Sequence, residues 1–279
     1  MHNQIKKIAA INDLTGFGRC ALTVTIPIIS AMGIQCCPVP TSLFSNHPGF
    51  SHFYSRDFTS HLPEYLAHWK DLNLTFDGIL SGYLNSIEQI SIVKQLITDF
   101  STEHTKVIVD PVMGDNGHLY SIYTKEMCEA MKELASLAHI LTPNLTEACL
   151  LADYPYHAED WNETEMYTLM KHLQKFPAKN IVVSGIPFKD SIINMIYDET
   201  TGITFHTQKR VGSERSGTGD VFSAILAANA VRNVPFEQSV AQAGNFVRDA
   251  LIYTKDYNLP STDGVYFEPL LNKLVTIPM

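Results

Sequence analysis

Short apolar runs alternate with longer amphipathic segments along most of this chain. Residues 8–11, 34–39, 78–81, 107–110, 139–142 and 180–184 are apolar at nearly every position, the pattern of strands buried on both faces. Between them, residues 20–32, 86–100, 124–137 and 163–176 space their apolar side chains as helices do. This alternation predicts an α/β chain: a mainly parallel central sheet with helices on both faces, three layers in all. Residues 192–197 and 203–206, separated by a polar turn ending in Gly202, predict a hairpin added to that sheet. No repeat, low-complexity tract or linker interrupts the pattern, so residues 1–279 read as a single domain.

Parallel sheets bind ligands beyond the carboxyl ends of their strands. The segments that follow the predicted strands are therefore where chemistry is expected: residues 12–18, 41–50, 82–85, 110–118, 142–147 and 212–220. The last is the most informative. Gly217-Thr218-Gly219-Asp220 runs straight into an apolar, helix-like stretch over residues 221–230. Closely spaced glycines let main-chain N–H groups converge at a helix N-terminus, whose partial positive charge favours an anion. Asp220 at that mouth is placed to take a proton from an attacking hydroxyl. An anion cradle beside a base points to phosphoryl transfer to an alcohol. The chain has neither a Gly-x4-Gly-Lys-Ser/Thr loop nor the third glycine of a dinucleotide fingerprint, so another phosphate-binding architecture is required.

The net charge of −9 excludes broad nucleic-acid binding and means that an anionic substrate must be held by local donors or a metal. The five cysteines are irregularly spaced with no Cys-x-x-Cys, which fits a reducing, cytoplasmic setting better than a disulfide framework or zinc site. No apolar run approaches a membrane span and the N-terminus lacks a secretory pattern, so no membrane partner is expected. The eleven histidines form no ligand-like spacing and are assigned to structure and solvent, with His61 and His68 on a surface helix. Asp110 and Asp115 follow one buried strand, and Glu147 opens the next strand-to-helix connection. Hard oxygen ligands of this kind suit magnesium bridging nucleotide phosphates.

Taken together, Phe44-Ser45-Asn46-His47, Ser81-Gly82-Tyr83, the segment from Asp110 to Asp115, Thr142-Pro143-Asn144-Leu145-Thr146-Glu147 and Gly217-Thr218-Gly219-Asp220 resemble the ribokinase superfamily and, within it, the pyridoxal kinases. The resemblance spans residues 5 to about 255 in the family's order. It implies a ribokinase-like fold and ATP-dependent phosphorylation of the 5′-hydroxymethyl group of a vitamin B6 vitamer. By that resemblance Asp220 is the general base, and the N–H groups of Gly217, Thr218, Gly219 and Asp220 form the anion hole. Asp110, Asp115 and Glu147 hold Mg-ATP, with Asp110 and Glu147 as metal ligands and Asn144 in the same shell. Ser184 approaches the nucleotide phosphates, and Val211 and Ser213 line its adenine or ribose side. Asp13, Ser45, Asn46, His47 and Tyr83 form the vitamer pocket. A monovalent cation, K+ or Na+, and a homodimer are further implications.

Asp13 stands where many pyridoxal kinases have Ser, and Pro48 where they have Thr. Asp at the first position also occurs in hydroxymethylpyrimidine kinases, which is the alternative acceptor. Those kinases commonly carry Cys where this chain has Asp220, and they lack the Phe-Ser-Asn-His run. A B6-binding regulatory protein without turnover is the non-enzymatic alternative, and an intact base argues against it. Residues 114–120, polar with two glycines, are expected to form a flap over the nucleotide. Arg215 is expected either to touch a phosphate or to pair with Glu214.

Overall fold

The computed structural model describes residues 5–212 and 215–275. The expectation for Ser213, and the pairing of Arg215 with Glu214, therefore lie outside the described residues. In chain order the elements are β1 (Lys7–Thr15), α1 (Leu22–Ala31), β2 (Gln35–Phe44), β3 (Ser55–Asp57), α2 (Leu62–Asp71), β4 (Gly78–Ser81), α3 (Ile87–Phe100), β5 (Lys106–Val109), β6 (Gly114–Asp115), β7 (His118–Leu119), α4 (Lys125–Ala135), β8 (Ile140–Leu141), α5 (Leu145–Ala152), α6 (Glu163–Leu173), β9 (Asn180–Phe188), β10 (Ser191–Asp198), β11 (Gly202–Lys209), α7 (Thr218–Val231) and α8 (Phe236–Lys255).

A nine-stranded sheet runs in the order β11-β10-β9-β8-β5-β4-β1-β2-β3. Its interior pairings are parallel, and β3, β10 and β11 join antiparallel at the two margins. Side chains alternate between its faces as strand geometry requires. Ile8, Leu80, Ile108, Ile140 and Val182 pack under α1, α7 and α8, while Ala9, Ile79, Val107, Leu141 and Ile181 pack under α2 to α6. Both faces are thus apolar, which is why the strands read as unbroken hydrophobic runs. Each buried Val, Leu or Ile contributes roughly 1.5–3 kcal/mol, so the two cores fix the layer order.

The predicted strands, the hairpin and the four predicted helices are present with shifted ends. β2 runs on to Phe44, well past the expected end at residue 39. Pro38 and Pro40 lie inside it, each without an N–H to donate. They are tolerated because β3 pairs with β2 only at Ser42, Leu43 and Phe44, leaving the proline stretch an open edge. His68 lies on α2, but His61 belongs to the short 3₁₀ turn before it. The expected flap contains the hairpin of β6 and β7, in which Gly114 pairs with Leu119 and Asp115 with His118. Among the described residues, no helix is long and apolar enough to cross a membrane.

Candidate active site

The parallel strands all end at one edge of the sheet, and the residues singled out above are delivered there. At that edge Asp13, on β1, is only 8% exposed. Its carboxylate accepts a hydrogen bond from the Thr15 hydroxyl at 2.6 Å, and its N–H donates to Asn12 Oδ1 at 2.9 Å. Burial, reinforced by the charge of Asp220, pushes Asp13 up to about 7. The Cys20 thiol faces the same two carboxylates, and burial holds it well above the usual thiol range, so it is no nucleophile at neutral pH.

Gly217 precedes α7 with φ of 86°, and a Cβ there would lie 2.2 Å from the Arg19 carbonyl oxygen. Only glycine makes this turn. No side chain caps α7, as none caps α1, α2 or α8, whereas α3, α4, α5 and α6 are capped. The site of a Cβ on Gly219 has no atom within 4 Å, so the first turn opens onto the cleft. Asp220 lies in that turn. Its Oδ1 accepts from Asn12 Nδ2 at 3.1 Å. Burial raises its pKa, while the Ala21 N–H and the Asn12 amide favour the ionised form. The carboxylate therefore sits beside the uncapped amides and is not sealed in apolar packing.

Asp110 follows β5 directly, 9% exposed, and is pushed up to about 8 by burial and then by the charge of Asp220. Glu147, 3% exposed, is held well above the usual carboxylate range by burial and then by Asp110. Two buried carboxyls that disfavour each other's charge form a donor set that a divalent cation would relieve. Glu147 is also structural. Its Oε2 accepts from Asn144 N at 2.9 Å and its Oε1 from Met113 N at 3.2 Å, while Asn144 Oδ1 accepts from Glu147 N at 2.9 Å. This is a capping box at the start of α5. Asn144 Nδ2 donates to the Gly114 carbonyl at 2.9 Å, tying the β6–β7 hairpin to the same corner. Asp115 is exposed on β6 and accepts from Asn116 N at 2.8 Å. Ser184, half-buried on β9, bridges to Asn144 and donates its N–H to the Pro143 carbonyl at 3.0 Å. Among the described residues, no group of three or more His, Cys, Asp or Glu side chains is gathered as a metal set. Val211 and Gly212 help line a cavity of about 420 Å³ with Arg210, Ile252 and Lys255.

The loop after β2 is held mostly by its own side chains. Ser45 Oγ donates to Asn46 Oδ1 at 2.7 Å and accepts from Tyr54 N, and Asn46 Nδ2 donates to the His52 carbonyl at 2.8 Å. His47 Nδ1 accepts from Gly49 N at 3.1 Å, so Nε2 carries the proton and donates to the Thr262 carbonyl at 2.8 Å. These bonds make His47 a latch between the loop and the C-terminal segment. Tyr83 lies beside Phe44 with ring centroids 6.4 Å apart, and burial pushes its hydroxyl up to about 12. Asp13 interacts electrostatically with both Tyr83 and Asp220, and the Ser45 carbonyl and the His47 ring lie against the turn of residues 16–18 that follows β1.

The sequence profile of a family described as phosphomethylpyrimidine kinase matches residues 29–264. The chain belongs to this family. It is 27% identical over 260 residues to a pyridoxine/pyridoxal/pyridoxamine kinase of Bordetella avium, covering 89% of this chain and 85% of that one. A Bacteroides thetaiotaomicron protein assigned as a phosphomethylpyrimidine kinase, with a structure determined with pyridoxal, superposes with a TM-score of 0.93 at 33% identity, covering 99% of this chain and 98% of that one. Pyridoxal kinase from Lactobacillus plantarum superposes with a TM-score of 0.90 at 27% identity, covering 97% of each. The fold is ribokinase-like, and the family is one of kinases.

Three features of the site were not singled out by sequence. Asn12 touches Asp220 directly. Tyr120, after the hairpin, is 43% exposed, and the carboxyls of Glu147, Asp115, Asp220 and Asp110 disfavour ionisation of its hydroxyl. The C-terminal segment straps the cleft: the Arg215 guanidinium donates to the Leu259 and Pro260 carbonyls, Arg19 to that of Asp263, and Val265 N to that of Ser216. Arg215 is therefore engaged with main chain. The polar pair Asn12-Asp13, breaking off the apolar run of residues 8–11 in β1, is a sequence signal for the first. Nothing in the spacing signals the strap.

Proposed function

We propose that this chain transfers the γ-phosphoryl group of ATP to the 5′-hydroxymethyl group of a vitamin B6 vitamer, giving the 5′-phosphate and ADP. The observation that carries this reading is the Asp220 carboxylate, held by Asn12 and the Ala21 N–H at the mouth of an uncapped helix. The hydroxyl oxygen attacks phosphorus as its proton passes to Asp220, and the bond to the β-phosphate oxygen breaks with its electrons leaving on ADP. The N–H groups of Gly217, Thr218, Gly219 and Asp220 receive charge from the equatorial oxygens, the term that dominates such transfers. Base assistance adds roughly 10²–10⁴-fold.

Asp110 and Glu147 would hold Mg2+, which would supply positive charge to offset that of the phosphates, with Asp115, Asn144 and Ser184 around it. The cavity beside Val211 would take the adenine or ribose end. Asp13 and Tyr83 would contact the pyridine ring. The Bordetella avium and Lactobacillus plantarum kinases and the pyridoxal in the Bacteroides thetaiotaomicron structure support the acceptor. From the motif resemblance to pyridoxal kinases we further propose a cytoplasmic homodimer assisted by a monovalent cation. Hydroxymethylpyrimidine is a second acceptor, favoured by the family's description and by Asp13. A coupled ADP-release assay with pyridoxal, pyridoxine, pyridoxamine and hydroxymethylpyrimidine tests both. Turnover confined to the pyrimidine, or none at all, would overturn the B6 reading.

A further inference from the structure

The Asn12 side chain makes three hydrogen bonds, and together they leave its orientation no freedom. Its Oδ1 accepts two main-chain N–H groups, from Asp13 at 2.9 Å and Tyr83 at 3.0 Å. Turning the amide over would set its NH2 against two donors and its oxygen against a carboxylate. The Nδ2 must therefore face Asp220, to which it donates at 3.1 Å. Asn12 is 7% exposed, and its partner Asp220 lies 208 residues away. Gly82 exists to make room for this amide: a Cβ there would fall 2.4 Å from Asn12 Nδ2 and 2.7 Å from its Cγ.

We propose that Asn12 is the positioning residue for the general base, and that it sets Asp220 in register with the vitamer pocket through the two main-chain groups it grips. This rests on the kinase reading above. One amide ties the base to Asp13 and Tyr83, so the proton acceptor and the ring contacts keep a fixed separation. The Ala21 N–H, the Asn12 Nδ2 and the N–H of Asp220 itself all hold the ionised carboxylate, and of these only Asn12 also reaches the vitamer pocket. The Gly of Ser81-Gly82-Tyr83 is then a requirement of Asn12 and not of the ring.

Asn12→Asp is the sharpest test, because it keeps an acceptor for both N–H groups and sets a second carboxyl in place of the donor facing Asp220. Gly82→Ala is the second variant, pushing the same amide without altering its chemistry. Each is made in the native enzyme and in an Asp220→Asn background. In the native background kcat is expected to fall at least about tenfold, with KM for pyridoxal and for ATP within about threefold. In the Asp220→Asn background neither change is expected to cost more than about twofold, since the group they act through is gone. Equal losses in both backgrounds, or an unmoved kcat in the first, overturn the proposal. If the native enzyme phosphorylates no vitamer, the kinase reading fails separately. The positioning role is then judged on a crystal structure of Gly82→Ala, where an unmoved Asp220 carboxylate overturns it and a rotated one supports it.

Discussion

Replacing Asp13 by Asn should stabilise the ligand-free protein, and the gain should grow with pH. Asp13 is 8% exposed and is pushed up from 3.8 to about 7 by burial, with Asp220 adding to the effect. A carboxyl whose pKa is higher in the folded than in the unfolded chain binds more protons when folded. Stability is then lost as pH rises from the unfolded pKa towards the folded one. A rise of about three units corresponds to about 4 kcal/mol between about pH 4 and pH 8, of which about 1.4 kcal/mol falls between about pH 6 and pH 8. Asn keeps an acceptor for the Thr15 hydroxyl and carries no charge, so its stability lacks this dependence. Urea unfolding of both proteins at several pH values measures the difference. The two should converge near about pH 4 and separate progressively above it. A gap that is constant with pH, or one that closes as pH rises, would refute the assignment of Asp13 as a buried, destabilised carboxylate.

Four other outcomes follow from the same geometry. Gly217→Ala forces a side chain into a left-handed turn and against the Arg19 carbonyl, so it should cost more than about 1 kcal/mol and abolish most turnover; calorimetry and the coupled assay check both. Glu147→Ala strands the buried N–H groups of Met113 and Asn144 and should destabilise by on the order of 2–3 kcal/mol, with Glu147→Gln losing less, as read by urea midpoints. Arg215→Ala releases the strap from the anion-hole turn and should lower kcat while leaving the dissociation constant for ADP within about threefold by titration calorimetry; a selective loss of ADP binding would restore the phosphate-contact role. Mg-ADP should slow protease cutting within residues 114–120, and unchanged cutting would argue against closure of the β6–β7 hairpin over the nucleotide.

The layers of this fold were legible because both faces of the sheet are covered. Every interior strand, such as Lys106–Val109, is a short apolar run that no amphipathic alternative explains. The anion-hole turn was legible for a different reason: Gly217 is imposed by its dihedral angle, and Gly219 stands two residues on with open space around it. Such constraints act over a few residues and leave a mark in spacing. The capping box of Asn144 and Glu147 is local too, and its spacing of three was visible, although it is compatible with both a cap and a ligand shell.

What escaped sequence reading is what depends on distant chain segments meeting. His47 belongs to a motif that resembles the pyridoxal kinases, and the motif gives no sign that its ring nitrogens also reach Gly49 and Thr262. Arg215 looked available for phosphate because its carbonyl partners lie 44 and 45 residues further on. Asn12 had no partner in view at all, since Tyr83 and Asp220 reach it only when β1, β4 and α7 converge. A hydrogen bond between segments leaves no periodicity. It does leave an anomaly, namely buried polar side chains where the apolar run of a strand breaks off, and a buried amide must find its partners. In a doubly covered sheet the carboxyl end of an interior strand is where those partners are functional groups, because the next shell is the cleft itself. Asn12 is thus the position in β1 where packing logic stops accounting for the residue and site logic has to begin.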